Sequence, residues 1–189
     1  MKNLKTILIL ISLLFLTACS SVQTVPKYEK KDNVTWKEVK PPVIVLNLEP
    51  GDIIVKEKTL NPIGMFGHVA VMKNDRTVVD YPKFGNKSYS IDINYWLEKG
   101  RDILVLRYKD MNNEFKKRLI KNMEKYFGKN YKISSDRMNI DGFYCSQYVW
   151  YIYYITAQEM GFELDLDSDG GSYVLPYDFI NSPYLEIIN

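Results

Sequence analysis

Cysteine and histidine are scarce in this chain of 189 residues: it has two cysteines, Cys19 and Cys145, and one histidine, His68. Cys19 directly follows an N-terminal targeting segment and is taken up there. One thiol is then left for the folded domain, and an intramolecular disulfide is excluded. An exported domain of about 145 residues without disulfides must be held by its core, and that length suffices for one. Excess charge is also missing. Removal of the targeting segment takes Lys2 and Lys5 from the 25 basic residues and leaves 23 against 23 acidic ones. A formal charge of zero gives no support to a nucleic-acid partner. No apolar run beyond the N-terminus is long enough to cross a membrane, and no internal repeat is present.

What the N-terminus does contain is "MKNLKTILILISLLFLTACSS". Lys2 and Lys5 form a positive region, 7–16 is an apolar run, and small residues follow it. Leu16-Thr17-Ala18-Cys19 resembles the lipobox of bacterial lipoproteins. That resemblance implies a diacylglyceryl group on the Cys19 sulfur, cleavage just before it and acylation of the new amine. Two or three acyl chains anchor stably where one does not. Residues 1–18 thus read as a lipoprotein signal peptide, and 19–42 as a lipidated, polar, Lys-rich tether that ends in Pro41-Pro42. The domain then spans 43–189. Membrane lipid is the expected partner of the N-terminus. Ser20 and Ser21 lack the Asp that retains such proteins in the inner membrane. The expected location is therefore the cell envelope, at the outer membrane facing the periplasm where the source has one.

The domain begins with short runs rich in β-branched residues: 43–48, 52–57, 67–73, 76–82, 87–93 and 102–109, separated by turn residues. They predict a mostly antiparallel sheet. The period then changes. Phe115, Leu119, Met123 and Phe127 recur every four residues, the stripe of a helix that stops at Gly128. A loop is expected over 129–142. From Cys145 to about residue 159 apolar and aromatic residues lie nearly all round, as in a buried helix. Pro176 opens a short helix, and "YLEII" closes the chain as an edge strand. The class is α+β.

Cys145 falls in "GFYCSQYVW", at the start of the buried helix. There a thiol meets the positive end of the helix dipole and unpaired backbone N–H groups, which favour the thiolate. An imidazole nearby completes the ion pair that cysteine hydrolases use, and His68 is the one available. An orienting carboxylate is offered by Asp80, on the strand after the turn at Asn74-Asp75. If Met72 lies opposite Arg76, His68 lies opposite Asp80 and both point to one face. If Lys73 pairs with Arg76, Tyr81 takes that place and Asp80 turns away. Asp52 and Asp92 are further acids near the strands. In "DLDSDGGSYVLP", Asp165, Asp167, Asp169 and Gly170 match half of a calcium loop, but Pro176 stands where the bidentate Glu belongs. The stretch reads as a solvated acidic turn, with no metal and no cofactor expected.

The ordered set "EPGDIIV", "GHVAVM", "VVDYP", "YFGKNYKISS", "GFYCSQYVW" and "LPYDFINSPYLEII" resembles the YaeF/YiiX-like permuted papain-fold amidases. These belong to the NlpC-like cysteine peptidase superfamily, which also includes the lecithin retinol acyltransferase-like enzymes. The resemblance spans roughly 48–188. It implies a circularly permuted papain-like fold, an antiparallel sheet packed against helices, with the histidine before the cysteine and the nucleophile at a helix N-terminus. It places the nucleophile on Cys145, the base on His68 and the third polar residue on Asp80, where relatives often carry Glu or His. Gln147 stands where an acidic residue is common. Tyr144, beside the nucleophile, is a candidate pocket residue. The expected activity is hydrolysis of amide bonds, in cell-wall peptides or small acyl amides, through a thioester on Cys145. The alternatives are a thioesterase or acyltransferase acting on lipid, and a non-enzymatic lipoprotein using the fold as a binding module.

Mass spectrometry of the mature protein is expected to show Cys19 as the first residue, with its sulfur and amine acylated. An unmodified N-terminus further downstream would refute the anchor.

Overall fold

The computed structural model describes residues 34–38, 47–60, 62, 64–97 and 101–188. The signal segment, Cys19 and most of the tether lie outside them, as does most of the strand expected at 43–48.

The β-branched runs form one sheet. β1 (Ile53–Lys56), β2 (His68–Met72), β3 (Thr77–Asp80), β4 (Tyr89–Asp92), β5 (Ile103–Tyr108) and β8 (Leu185–Ile187) pair antiparallel in the order β4-β3-β2-β1-β5-β8. Alternation gives the sheet two apolar faces. Ile53 and Val55 join Val69, Val71, Leu104 and Leu106 on one face, and Ile54 joins Ala70, Met72, Val78 and Val105 on the other. Helices cover both. α2 (Asn113–Lys125) and α3 (Cys145–Glu159) pack on the first face, and α1 (Ile93–Leu97) on the second. A short α4 (Asp178–Asn181) precedes the edge strand β8. This is the mixed architecture of an antiparallel sheet packed against helices that the sequence implied.

α2 starts where the Asn112 side chain accepts from Phe115 N at 2.9 Å, capping an orphan donor. Phe115, Leu119 and Met123 are buried, as their spacing predicts. Phe127 falls past the helix end and is 42% exposed, because the helix stops at Lys125. α3 is buried on nearly every side. Two of its tyrosines end on backbone carbonyls: the Tyr148 hydroxyl donates to Met123 O at 2.9 Å, and that of Tyr153 to Gly51 O. Such pairing is what permits a polar tip in an aromatic core.

Two elements differ from the sequence reading. The loop expected over 129–142 contains β6 (Asn130–Tyr131) and β7 (Gly142–Phe143), a parallel pair. Both are too short to leave a periodic signal. The strand expected through residue 93 ends at Asp92, whose side chain accepts from Asn94 N at 2.9 Å and turns the chain into α1. The tether also meets the domain: the Trp36 ring lies 5.5 Å from that of Tyr177, and Lys37 and Ile103 exchange two backbone hydrogen bonds of 3.0 Å.

The β2–β3 hairpin takes neither of the two registers considered above. Val71 faces Val79, Met72 faces Val78, and Lys73 N donates to Thr77 O at 2.7 Å. Parity still puts residues 68 and 80 on one face, but diagonally rather than directly opposed. The ladder stops at Val71–Val79. Beyond it β2 stays paired to β1 as far as His68, and β3 to β4 as far as Asp80. The sheet therefore opens between β2 and β3 at this end.

Gly67 enters β2 with φ +78°, and a Cβ there would lie 2.9 Å from the Tyr177 ring and 3.1 Å from Lys56 O. Gly67→Ala is expected to destabilise the fold by about 1–3 kcal/mol, from the left-handed backbone and the overlap together. Denaturant unfolding measures it.

Candidate active site

The open end of the sheet holds a buried carboxylate. Asp80 is 2% exposed. Its Oδ1 accepts from His68 Nε2 at 2.8 Å, and its Oδ2 accepts from Trp96 Nε1 at 2.8 Å and the Tyr89 hydroxyl at 2.9 Å. Burial alone would raise the Asp80 pKa, but the imidazolium charge and these three donors outweigh it and hold the group below the usual carboxylate range. The same proximity, added to burial, pushes the Tyr89 hydroxyl up, so it remains a donor. Asp80 is thus fixed as an anion.

His68 responds to two partners. Burial of the ring favours its neutral form. The negative charges of Asp80 and Cys145, and hydrogen bonds to both, overcome that and raise its pKa to about 10. Nε2 is taken by Asp80, which leaves Nδ1 for the sulfur. The two groups come from different layers. His68 and Asp80 continue the face that carries Trp96, with the His68 and Trp96 rings 6.0 Å apart, whereas Cys145 belongs to the cluster under α2 and α3. They meet where β2 and β3 part: His68 and Asp80 share one face of the sheet, and Cys145 comes from the layer on the other.

Cys145 is the first residue of α3 and is 8% exposed. β7 delivers the chain to it. Parallel pairing of β6 and β7 is close at Gly142, where a Cβ would lie 2.6 Å from Asn130 O. Tyr144 is the N-cap and supplies no side-chain cap, so the first-turn N–H groups of α3 remain available to an anion. The Tyr144 hydroxyl accepts from Val174 N at 3.0 Å, and Ser146 Oγ donates to Val174 O at 2.7 Å. Together they strap the 173–175 segment over the start of α3. Tyr144 is buried, and burial pushes its hydroxyl up to about 12. Gln147 is buried too, and its Nε2 donates to the carbonyls of Arg137 at 3.1 Å and Asn139 at 3.0 Å. It holds the loop before β7.

Three residues of the site escaped the sequence reading. Trp96 and Tyr89 fix Asp80. Burial, and after it the proximity of Cys145, Tyr144 and Asp80, pushes the hydroxyl of half-buried Tyr131 up. A signal existed for Trp96, since Asp92 is a good helix-capping residue ahead of it. The weaker acid candidates lie elsewhere. Asp52 is gripped by Arg107 at 2.7 and 2.8 Å, and Asp92 serves the start of α1.

The acidic turn is solvated at Asp165 and Asp169 but is also fastened to the domain. Asp165 accepts from Trp150 Nε1 at 2.7 Å, and buried Asp167 is ion-paired with Arg137. Asp178, from the start of α4, brings a carboxylate oxygen within 4.8 Å of those of Asp167 and Asp169. Burial pushes Asp167 up to about 6 and Asp178 up to about 7, and their neighbouring carboxylates add to it. Among the described residues this trio is the oxygen-donor set that suits a hard cation.

A family model described as permuted papain-like amidase enzyme, YaeF/YiiX, C92 family, matches residues 47–189. The crystal structure of the metalloprotein yiiX from Escherichia coli O157:H7 superposes with a TM-score of 0.55 at 18% identity, covering 76% of this chain and 98% of that one. That likeness shows a common fold. No curated protein matches the chain.

His68 gives the only imidazole signals in the proton NMR spectrum. Its midpoint is expected near pH 10 instead of 6.5. A raised folded-state value means that the stabilisation by the imidazolium is complete below the unfolded pKa and is lost as pH rises through about 10. Asp80→Asn is expected to bring the midpoint down by more than one unit, roughly the worth of one close charge.

Proposed function

The chain belongs to the permuted papain-like amidases of the YaeF/YiiX family, and from that premise we propose that it is a lipid-anchored cysteine hydrolase that cleaves amide bonds through Cys145, His68 and Asp80. The observation that carries the proposal is the junction of a thiol at the first residue of α3 with an imidazole already paired to a buried carboxylate.

The Cys145 sulfur attacks as thiolate, the reactive form. A carbon–sulfur bond forms at the acyl carbon, and the carbonyl electron pair moves to oxygen. The backbone N–H of Cys145, unpaired at the helix start, donates to that oxyanion. Collapse breaks the carbon–nitrogen bond, and His68 passes the proton on Nδ1 to the leaving amine. His68 then takes a proton from water as the water attacks the thioester, and the carbon–sulfur bond breaks. Asp80 stays ionised throughout. It fixes the plane of the ring and stabilises the imidazolium. Tyr144 and Ser146 hold the 173–175 segment beside the nucleophile, and Tyr131 on β6 is near enough to feel its charge. Amides of cell-wall peptides or small acyl amides are the proposed substrates.

An activity-based thiol probe on the intact protein, followed by amide and ester profiling against Cys145→Ala, tests the reading. Labelling of Cys145 and amide turnover are expected. Preference for lipid esters would assign a lipid thioesterase or acyltransferase instead. Cys145→Ala and His68→Ala are each expected to lower kcat by about 10³-fold or more, and the double variant little further, because the two act as a unit. Asp80→Asn is expected to cost less.

A further inference from the structure

The loops around the open end of the sheet expose bulky apolar side chains together. Phe66 is 56% exposed in the β1–β2 loop, near exposed Leu60 and Met65; Phe84 is 80% exposed in the β3–β4 loop. Ile133, between β6 and β7, is 61% exposed, and Tyr173 is 45% exposed. β1 ends and β2 begins at this end, β3 ends and β4 begins there, and α3 starts there. These loops therefore ring the mouth of the site. Lys58, Lys83 and Lys87 are exposed among them. At the far end of the domain, past the C-terminus of α3 and before β8, Phe162 and Tyr184 are exposed.

Large apolar side chains interspersed with lysines match the interfacial zone of a bilayer with anionic headgroups. The course of the tether favours that occupant over a protein partner. Trp36 packs on Tyr177, and Lys37 pairs with Ile103. The Tyr177 hydroxyl accepts from Lys58 N at 2.9 Å, and its ring lies against Gly67, next to His68. The chain thus meets the domain at the same end as the apolar ring. From Cys19 to Val34 there are 15 residues. Fully extended they reach about 50 Å at most, little more than the width of a domain this size, about 40 Å. An acyl group at Cys19 therefore attaches the domain by this end and keeps it within about 50 Å of the lipid.

We propose that the loops bearing Phe66, Phe84, Ile133 and Tyr173 form a membrane-docking surface that sets the mouth of the Cys145 site against an anionic bilayer. The direction of the tether rests on the lipid-anchor reading, whereas the surface itself does not.

Sedimentation with phosphatidylglycerol vesicles tests the surface on the mature chain, residues 19–189, carrying Cys19→Ser so that no acyl group contributes. Binding is expected. The double variant Phe66→Ser/Phe84→Ser is expected to weaken it at least tenfold, and Phe162→Ser/Tyr184→Ser to leave it unchanged. Absence of binding, or equal weakening by both variants, overturns the proposal and leaves the apolar ring to a protein partner. The anchor is read separately, from the mass of the wild-type N-terminus, so either result can fail without the other.

Discussion

A carboxylate that is 2% exposed persists in a protein interior only if its charge and lone pairs are matched. Asp80 meets that condition with three donors, and the arrangement of the site follows from how they are shared out. Trp96 and Tyr89 occupy Oδ2, so Oδ1 is left to His68. The ring is then held by Nε2, and its other nitrogen is presented to Cys145. Loss of the Trp96 or Tyr89 hydrogen bond would free the carboxylate to rotate and leave the imidazole without a fixed plane.

The second constraint is the interruption of the sheet. A continuous ladder between β2 and β3 would separate the layer that carries Trp96 from the layer that carries α3. Because pairing ends at Val71–Val79, a histidine on one face and a cysteine on the other come together at the gap. Both neighbours of the gap remain paired on their outer sides, to β1 and to β4, so the opening is framed by paired strands. Such a frame suits the proposed chemistry, which depends on fixed placement of sulfur, nitrogen and oxyanion donor.

Around this frame, loops are fastened by side chains from the N-cap and first two turns of α3. Tyr144 and Ser146 grip Val174, Gln147 grips the carbonyls of Arg137 and Asn139, and Trp150 grips Asp165. The aromatic stretch that begins with the proposed nucleophile is therefore both core and scaffold. Two of these loops also carry members of the exposed apolar ring, Ile133 and Tyr173, so part of the proposed lipid-facing surface shares its anchors with the site.

Strand runs, the helical stripe of α2 and the all-round apolar pattern of α3 were legible in the sequence, because burial imposes a period on residues close in the chain. The scarcity of Cys and His singled out Cys145 and His68, and the position of Cys145 before an unbroken apolar run placed it at a helix start. The hairpin register was not legible: it depends on how a three-residue turn closes, and a shift of one residue reverses every side chain. Nor were Trp96, Tyr89 and Tyr131 at the site, or Asp178 beside Asp167. Tyr89 meets Asp80 across the β3–β4 pairing and the others meet their partners from another layer or loop, and such contacts depend on strand register and packing that leave neither period nor spacing behind. Sequence determined which residue types were available and which elements carry them. Tertiary structure alone decided which of them touch, because that depends on strand pairing and on the gap between β2 and β3.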